Sequence, residues 1–276
     1  MKAIEFEHFT KRYGNFTAVN NLCLSVESGT MTGFVGKNGA GKTTTIRTML
    51  NFLHPSEGSV RIFGHDSVRD SAKIKEMTGY MSADSAFYDK ITCAELLRLN
   101  CSICGAAWEQ AQEYLSYFEL DEHKKINELS LGNRKKVGII QALLKPVKLL
   151  ILDEPTSGLD PLMQKKFFEL LQRLQKEGVT IFLSSHQLEE IETYCDRAVI
   201  LKDGVVVEDI DITKARENRC QSVSYTLSDG TQECFTYTGS MNDLVARLAK
   251  MDLSRLEIRD RSVSEEFLKY YEGDEA

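Results

Sequence analysis

The sequence feature that most constrains the fold of this chain is a glycine-rich loop directly after a short apolar run. The segment Gly36–Thr44 reads GKNGAGKTT and matches the pattern G-x-x-x-x-G-K-T, with Lys42 and Thr43 at the required offsets. Met31–Val35 precedes the loop as a predicted strand, and Thr43–Leu53 follows it with helical character. Strand, glycine loop and helix in this order form the context in which such a loop binds phosphate.

Each position of the loop has a predicted task. Backbone N–H groups of such a loop wrap the β-phosphate, and the helix that follows points its positive end at it. We expect Lys42 to bridge the β- and γ-phosphates, Thr43 to offer its hydroxyl to Mg²⁺, and Thr44 to help at the α-phosphate. The nucleotide-binding residues predicted from the loop are Gly36, Asn38, Gly39, Ala40, Gly41, Lys42, Thr43 and Thr44.

A second motif places two carboxylates at the end of a buried strand. The run Leu149–Leu152 is apolar and leads into Asp153 and Glu154. Asp153 is predicted to reach the Mg²⁺ ion. Glu154 points elsewhere and is predicted to be the base beside the attacking water, a role typically worth ~10²–10⁴-fold in rate. The alternative is that Glu154 is only a surface charge or a helix cap. With Lys42 and Glu154 as catalytic candidates and Asp153 as a ligand of Mg²⁺, the two motifs predict an ATPase.

The order of predicted elements favours an α/β protein. Strands that alternate with helices indicate a phosphate-loop core with a mostly parallel, covered sheet. We expect an N-terminal antiparallel β subdomain, a helical insertion over about 85–145, and a small C-terminal α+β appendage where the composition changes. The predicted domains are therefore 1–208 and 209–276. The elements predicted for the appendage are strands Ser222–Leu227, Glu233–Thr238 and Leu256–Arg259, and helices Met241–Ala249 and Ser264–Tyr271.

The composition limits the classes of binding partner and the cellular compartment that we expect for this chain. A formal net charge of −7 argues against a general nucleic-acid binder. No apolar run approaches the roughly 18 residues that span a bilayer, and the N-terminus is acidic where a signal peptide is apolar. Seven scattered cysteines favour a reducing, cytosolic location. The pair Cys101 and Cys104 is interpreted as one side of an apolar helix, because structural zinc usually takes four ligands.

The motifs taken together resemble the ATP-binding cassette (ABC) proteins. After the glycine loop come LSLGN at Leu129–Asn133, LLILDEPTSGLD at Leu149–Asp160 and SSH at Ser184–His186, in the family's order. The resemblance covers residues 1 to about 208. LSLGN is the most diagnostic piece, since other phosphate-loop ATPases lack it.

The resemblance implies further site residues and partners. Tyr13 would stack on adenine, and His186 would hold the γ-phosphate and orient the water. Ser130 and Gly132 would contact ATP held by a second subunit, and Asp160 would belong to a loop that crosses between subunits. Two subunits, identical or different, would close head to tail around two Mg-ATP. Their cycle would drive a separate transmembrane permease from the inner face of the cell membrane.

Two positions depart from the family's pattern. The common signature is LSGGQ, and here its third and fifth positions are Leu131 and Asn133. Ser130 and Gly132 are kept, so we expect function to survive. After the predicted strand ending at Met81, members usually carry Gln, where this chain has Ala83 followed by Asp84. Asp84, or a water, is the candidate for the glutamine's task at Mg²⁺.

Three hypotheses describe what the cycle drives. LSLG and the ending SVSEEFLKYY resemble ATPase subunits of ABC-2 type bacterial exporters, which favours export of a drug, peptide, lipid or ion. The permease is expected to dock near Asp84–Tyr88 and the helix beginning at Thr92. The rival is a soluble ABC ATPase acting on ribosomes or DNA, although 111 residues between Lys42 and Asp153 leave no room for a long coiled coil. The third is a regulatory ATP-binding module without turnover, which Ala83 prompts.

Overall fold

The structure, a computed structural model, describes residues 1–83, 90–217 and 221–260. Its contacts divide the chain into two compact units, Met1–Asp209 and Ile210–Ala276. The predicted Mg²⁺ candidate Asp84, the predicted docking segment Asp84–Tyr88 and the predicted helix Ser264–Tyr271 lie outside the described residues. In the described ranges, no helix is both long and apolar enough to cross a bilayer.

The elements up to residue 217 include the predicted strands and helices of the core together with short elements that were not predicted. The strands are β1 (Lys2–Tyr13), β2 (Phe16–Glu27), β3 (Met31–Val35), β4 (Glu57–Ile62), β5 (His65–Asp66), β6 (Thr78–Met81), β7 (Leu149–Asp153), β8 (Thr180–Ser185), β9 (Arg197–Lys202) and β10 (Val205–Asp211). The helices are α1 (Lys42–Met49), α2 (Ser71–Met77), α3 (Cys93–Cys104), α4 (Trp108–Tyr117), α5 (Leu131–Leu143), α6 (Pro161–Lys176), α7 (Leu188–Tyr194) and α8 (Ile212–Glu217).

A six-stranded sheet in the order β10–β9–β3–β8–β7–β6 forms the nucleotide core. The pairs from β9 to β6 are parallel. Every residue of β3, β7 and β8 is buried, as expected for parallel strands covered on both faces. The predicted α/β class is therefore confirmed. Because these strands are parallel, the segments that follow them meet at one edge of the sheet, where α/β proteins bind ligands.

A four-stranded antiparallel sheet in the order β2–β1–β4–β5 lies in the same unit. Its apolar side chains, including Phe6 and Phe9, belong to the same core cluster as Phe34 of the parallel sheet. The strands β1 and β2 meet at a tight turn, where Tyr13 pairs with Phe16. This turn carries both aromatic rings to the glycine loop.

Helices α3, α4 and α5 lie between β6 and β7. A capping box between Thr92 and Glu95 begins α3, and Gly105 ends it in the left-handed region at φ 71°. The sequence predicts a helix from about Asn133 to Leu144, and α5 begins two residues earlier, at Leu131. Ser130 caps it, since its Oγ accepts a hydrogen bond from Asn133 N at 3.3 Å.

In its described residues, the second unit contains α8 and a small sheet with a further helix packed against it. The elements after α8 are β11 (Gln221–Leu227), β12 (Gln232–Tyr237), α9 (Met241–Leu248) and β13 (Leu253–Asp260). The antiparallel order is β12–β11–β13. Leu244 and Leu248 of the helix pack on Val223 and Tyr225 of the central strand. The small core explains why the strands carry so many polar residues on their other face.

Candidate functional site

The glycine loop is shaped by close backbone contacts that only glycine permits. A Cβ atom on Gly36 would lie 2.5 Å from the Leu201 carbonyl oxygen, and one on Gly41 would lie 2.6 Å from the Ala18 carbonyl oxygen. Gly41 has φ 105°, a conformation that costs glycine little, and it precedes the first residue of α1. The loop is thus held against β2 and β9 while its amide groups remain at the amino end of a helix.

Lys42 folds back into this loop. Only 6% of its surface is exposed. Its Nζ donates hydrogen bonds to the carbonyl oxygens of Gly36 at 2.5 Å and Lys37 at 3.3 Å. The same Nζ lies 3.2 Å from Glu154 Oε1. The loop and the second motif are therefore joined by an ion pair.

Glu154 contacts two other predicted site residues, Lys42 and His186. It follows β7 directly and adopts φ 49°, in the left-handed region that residues with a Cβ rarely occupy. One carboxylate oxygen pairs with Lys42, and the other lies 2.7 Å from His186 Nδ1. Since a carboxylate only accepts, Nδ1 carries the hydrogen of that bond. The alternative of an isolated surface charge or a helix cap does not describe this arrangement.

Asp153 is fully buried and only half satisfied. Its Oδ1 accepts a hydrogen bond from Ser184 Oγ at 2.6 Å. Its Oδ2 is buried and has no hydrogen-bond partner within the described ranges. Buried carboxylate oxygens normally have a partner. Carboxylate and hydroxyl oxygens are suitable ligands for Mg²⁺, so Asp153 together with Thr43 fits such an ion.

Ser184 is a site residue that the sequence reasoning did not assign. Its hydroxyl donates to Asp153 and accepts from the Glu154 backbone N–H at 3.0 Å, so it orients both acidic residues. The signal was present, because Ser184 lies in the SSH motif. What was missing is the register: Asp153 of β7 pairs with Ser184 of β8.

The glycine loop opens onto a cleft of about 390 Å³, a size usual for a small-molecule site. Tyr13 is 46% exposed, and Lys11 Nζ lies 5.3 Å from the centre of its ring. Phe16, 64% exposed, lines the same cleft and was not predicted. Gly36 and Ala40 also belong to the loop, but they are buried and do not line the cleft. The cleft is lined by Tyr13, Phe16, Ala18, Lys37, Asn38, Gly39, Gly41, Lys42, Thr43, Thr44, Ala83 and Glu154.

The residues predicted to meet a second subunit do not line this cleft, and neither do Asp153, His186, Gly36 and Ala40. Ser130 caps α5, and Asp160 caps α6 by accepting a hydrogen bond from Met163 N at 3.0 Å. Gly132 packs on the chain at Gly158, where an added Cβ would lie 2.3 Å from the carbonyl oxygen. The two caps are exposed. They form a second polar surface at the amino ends of two helices.

A buried glutamate connects the two motif-bearing segments. Glu190 Oε2 accepts hydrogen bonds from Thr156 Oγ1 at 2.8 Å and Ser185 Oγ at 3.4 Å. Burial raises the pKa of Glu190 above its usual value, while the two hydroxyl hydrogen bonds act in the opposite direction. Thr156 follows Glu154 by two residues, and Ser185 directly precedes His186. The hydrogen bonds to Glu190 therefore hold together the two segments that carry the catalytic candidates Glu154 and His186. No sequence pattern indicated it.

Comparison with known proteins places these features in a family. The family model described as "ABC transporter" matches residues 19–157. "Bacitracin transport ATP-binding protein BcrA" of Bacillus licheniformis is 37% identical over 230 residues, which cover 82% of this chain and 75% of that protein. The protein of the same name from Enterococcus faecalis is 32% identical over 294 residues, covering 97% of this chain and 94% of that protein.

Solved structures agree with this placement. An "ATP binding subunit of ABC transporter" superposes with a TM-score of 0.71 at 28% identity, covering 78% of this chain and 92% of that one. A dimeric bacterial ABC transporter cassette, MJ0796, gives a TM-score of 0.71 at 26% identity, covering 76% and 98%. The fold of this chain therefore recurs in solved subunits of ABC transporters.

Proposed function

The chain belongs to the ABC transporter family, an ATP-binding ATPase family, and on that premise we propose that its ATPase cycle powers a separate membrane permease. The observation that carries the assignment of roles is the Glu154 carboxylate, which is joined to Lys42 on one side and to His186 on the other. This arrangement supports the proposal that Glu154 is the base, Lys42 the phosphate-binding cation and His186 the orienting imidazole.

In the proposed reaction, ATP displaces part of this network. The γ-phosphate takes Lys42, which frees the Glu154 carboxylate to accept a proton from the attacking water. The water oxygen bonds to the γ-phosphorus, the bond from that phosphorus to the bridging oxygen breaks, and ADP and phosphate result. In this reaction His186 holds the γ-phosphate and orients the attacking water. Tyr13 stacks on the adenine, and Phe16 extends the same apolar wall.

Mg²⁺ is proposed to bind between Thr43 and Asp153. The fit rests on the buried Asp153 Oδ2, which lacks a hydrogen-bond partner in the described part of the chain, and on the hydroxyl of Thr43 in the cleft. When bound, the ion supplies positive charge that offsets the charge developing on the phosphate oxygens. Ser184 fixes the carboxylate orientation through Oδ1. Asp84 remains a proposed additional ligand.

Two subunits are proposed to complete each site. Ser130, Gly132 and Asp160 lie outside the chain's own cleft, and two of them stand at helix amino ends, which favour phosphate. Identical copies suffice for this, because one chain carries both the Glu154 network and the Ser130 surface. The related cassette MJ0796, solved as a dimer, supports the proposal. A different ATPase chain as the second subunit is the alternative.

The proposed cargo class is that of an exporter: a drug, peptide, lipid or ion. Two relatives carry bacitracin transport in their names, which supports export over action on ribosomes or DNA. We place the subunit in the cytoplasm, peripheral to the inner face of the membrane through its permease. Nucleic acid is not proposed as a partner, given the net charge of −7.

A pull-down from the native host tests this function. Glu154→Gln with Mg-ATP, which we expect to hold nucleotide without turnover, is the bait for detergent-solubilised membranes, and mass spectrometry identifies what binds. We expect a polytopic membrane protein in stoichiometric amount. Lys42→Ala is the matched control for contacts that need bound ATP. Capture of ribosomal or nucleic-acid-associated proteins alone would instead favour the non-transport class.

A further inference from the structure

Lys135 is a buried lysine directly behind the wall of the cleft. It lies on α5, five residues after the cap Ser130, and only 3% of its surface is exposed. Its Nζ donates hydrogen bonds to the carbonyl oxygens of Ala83 at 2.6 Å and Glu154 at 3.1 Å. Both acceptors belong to residues that line the cleft, whereas Lys135 itself does not.

A buried ammonium group needs a reason. It loses its hydration, and an apolar side chain of similar length would fill the same space without that loss. In return, a charged donor makes shorter and stronger hydrogen bonds than a neutral one. The charged Nζ of Lys135 donates to the backbone carbonyls of Ala83 and Glu154. These contacts fix the path of the main chain at two residues that line the cleft.

The main chain at Glu154 is one that requires such fixing. Its φ of 49° is strained for a residue with a Cβ and persists only where neighbouring contacts hold it. The Glu154 N–H is bound by Ser184 Oγ at 3.0 Å, and its C=O is bound by Lys135. Both polar groups of the Glu154 backbone are therefore anchored, one from β8 and one from α5.

We propose that Lys135 is a positioning residue for ATP hydrolysis. It holds Ala83 and the Glu154 turn so that the Glu154 carboxylate keeps its place between Lys42, His186 and the attacking water. The inference rests on the proposed role of Glu154 as the base. Because Lys135 and Ser130 lie on one helix, a shift of α5 also moves the carbonyl of Glu154, which links the second polar surface to the base.

Steady-state ATP hydrolysis by Lys135→Met and Lys135→Arg tests this role. Lys135→Met is expected to lower kcat at least tenfold, while KM and the Kd of a fluorescent ATP analogue change less than about threefold. Lys135→Arg keeps the charge and is expected to recover most of kcat. The control is Lys145→Met, because Lys145 Nζ also donates to a backbone carbonyl, that of Lys75 at 2.5 Å, away from the cleft. It should leave kcat unchanged.

The outcomes separate this inference from the proposed function. One outcome would overturn the role of Lys135 and leave that of Glu154 intact. In it, wild type hydrolyses ATP, Glu154→Gln abolishes that activity, and Lys135→Met keeps kcat within twofold of wild type. An equal rise in KM and Kd with unchanged kcat would likewise overturn it. If Glu154→Gln itself keeps its rate, the proposed base fails. Should Lys135→Met not fold, kcat and KM of Lys135→Arg and Lys135→Gln decide the question.

Discussion

At the scale of single residues, the site depends on how Glu154 is held. Its side chain pairs with Lys42 and His186, and its backbone is bound by Ser184 and Lys135. Contacts from α1, α5, β8 and the segment that follows β8 thus converge on one residue. Such preorganisation reduces the reorganisation needed during reaction, which is why a single amide substitution at this position is informative.

Glu154→Gln is expected to lower ATP hydrolysis by ~10²–10⁴-fold, the usual contribution of a positioned base. ATP affinity should be kept or tightened, because the amide no longer competes with phosphate for Lys42. Phosphate release measures the rate, and fluorescent-nucleotide titration measures the affinity. Lys42→Ala provides the background rate, and wild-type turnover above it would exclude a purely regulatory module. A Glu154→Gln protein with full turnover would contradict the assignment.

Glu190 gives a prediction on stability against pH. Burial raises its pKa, so the folded protein holds a proton that the unfolded chain releases at lower pH. The stability from this proton is fully present below the unfolded pKa and is lost as pH rises through the folded pKa. Glu190→Gln is neutral throughout and should melt at a higher temperature than wild type near about pH 8, with the gap narrowing toward about pH 5.

The matched control for this prediction is Glu189→Gln. Glu189 is exposed and shares the first turn of α7 with Glu190, so any effect of the helix dipole is common to both. Thermal melts at several pH values measure the difference. A gap that stays constant with pH, or one that appears equally in Glu189→Gln, would show that burial of the Glu190 charge is not the cause.

Residue-level prediction from the sequence worked where chemistry is local. The spacing of the loop and the strand end located Lys42 and Glu154, and the SSH motif located His186; the structure brings all three together. Ser184, Phe16 and Glu190 depend instead on strand register, a tight turn and burial. None of these is visible from spacing within one segment.

At the scale of elements, α5 shows that the first residue of a helix depends on its neighbours in the fold. The sequence predicts a start near Asn133. The structure begins α5 at Leu131, because Ser130 caps it and Gly132 fits against Gly158. The short elements β4, β5 and α2 were not predicted, since they are stabilised by their neighbours rather than by a long periodic pattern.

Gly132→Ala tests this packing at α5. Alanine favours a helix by up to about 1 kcal/mol relative to glycine. The new Cβ would lie 2.3 Å from the Gly158 carbonyl oxygen, and such overpacking typically costs about 1–3 kcal/mol. We therefore expect net destabilisation and lower ATP turnover. Chemical denaturation measures it, with Leu131→Ala as control because Leu131 is 60% exposed. A Gly132→Ala protein more stable than wild type would contradict the contact.

At the scale of the whole molecule, the alternation of strands and helices predicted the parallel sheet correctly. For residues 210–217 and 221–260, the change of composition predicted strands and a helix but not their order in a sheet. What sequence and fold agree on is a division of labour: one surface holds the Glu154 network, and another carries Ser130 and Asp160. In the proposed scheme, ATP hydrolysis requires both surfaces at one nucleotide.

The most direct test is therefore the mass of Glu154→Gln in solution, measured by light scattering with saturating Mg-ATP and, separately, with Mg-ADP. The account predicts a particle of two chains with Mg-ATP and a single chain with Mg-ADP, because only the γ-phosphate connects the two surfaces. Ser130→Arg, which blocks the second surface, should stay monomeric in the same background. A monomer that demonstrably binds Mg-ATP yet never pairs would contradict the shared site.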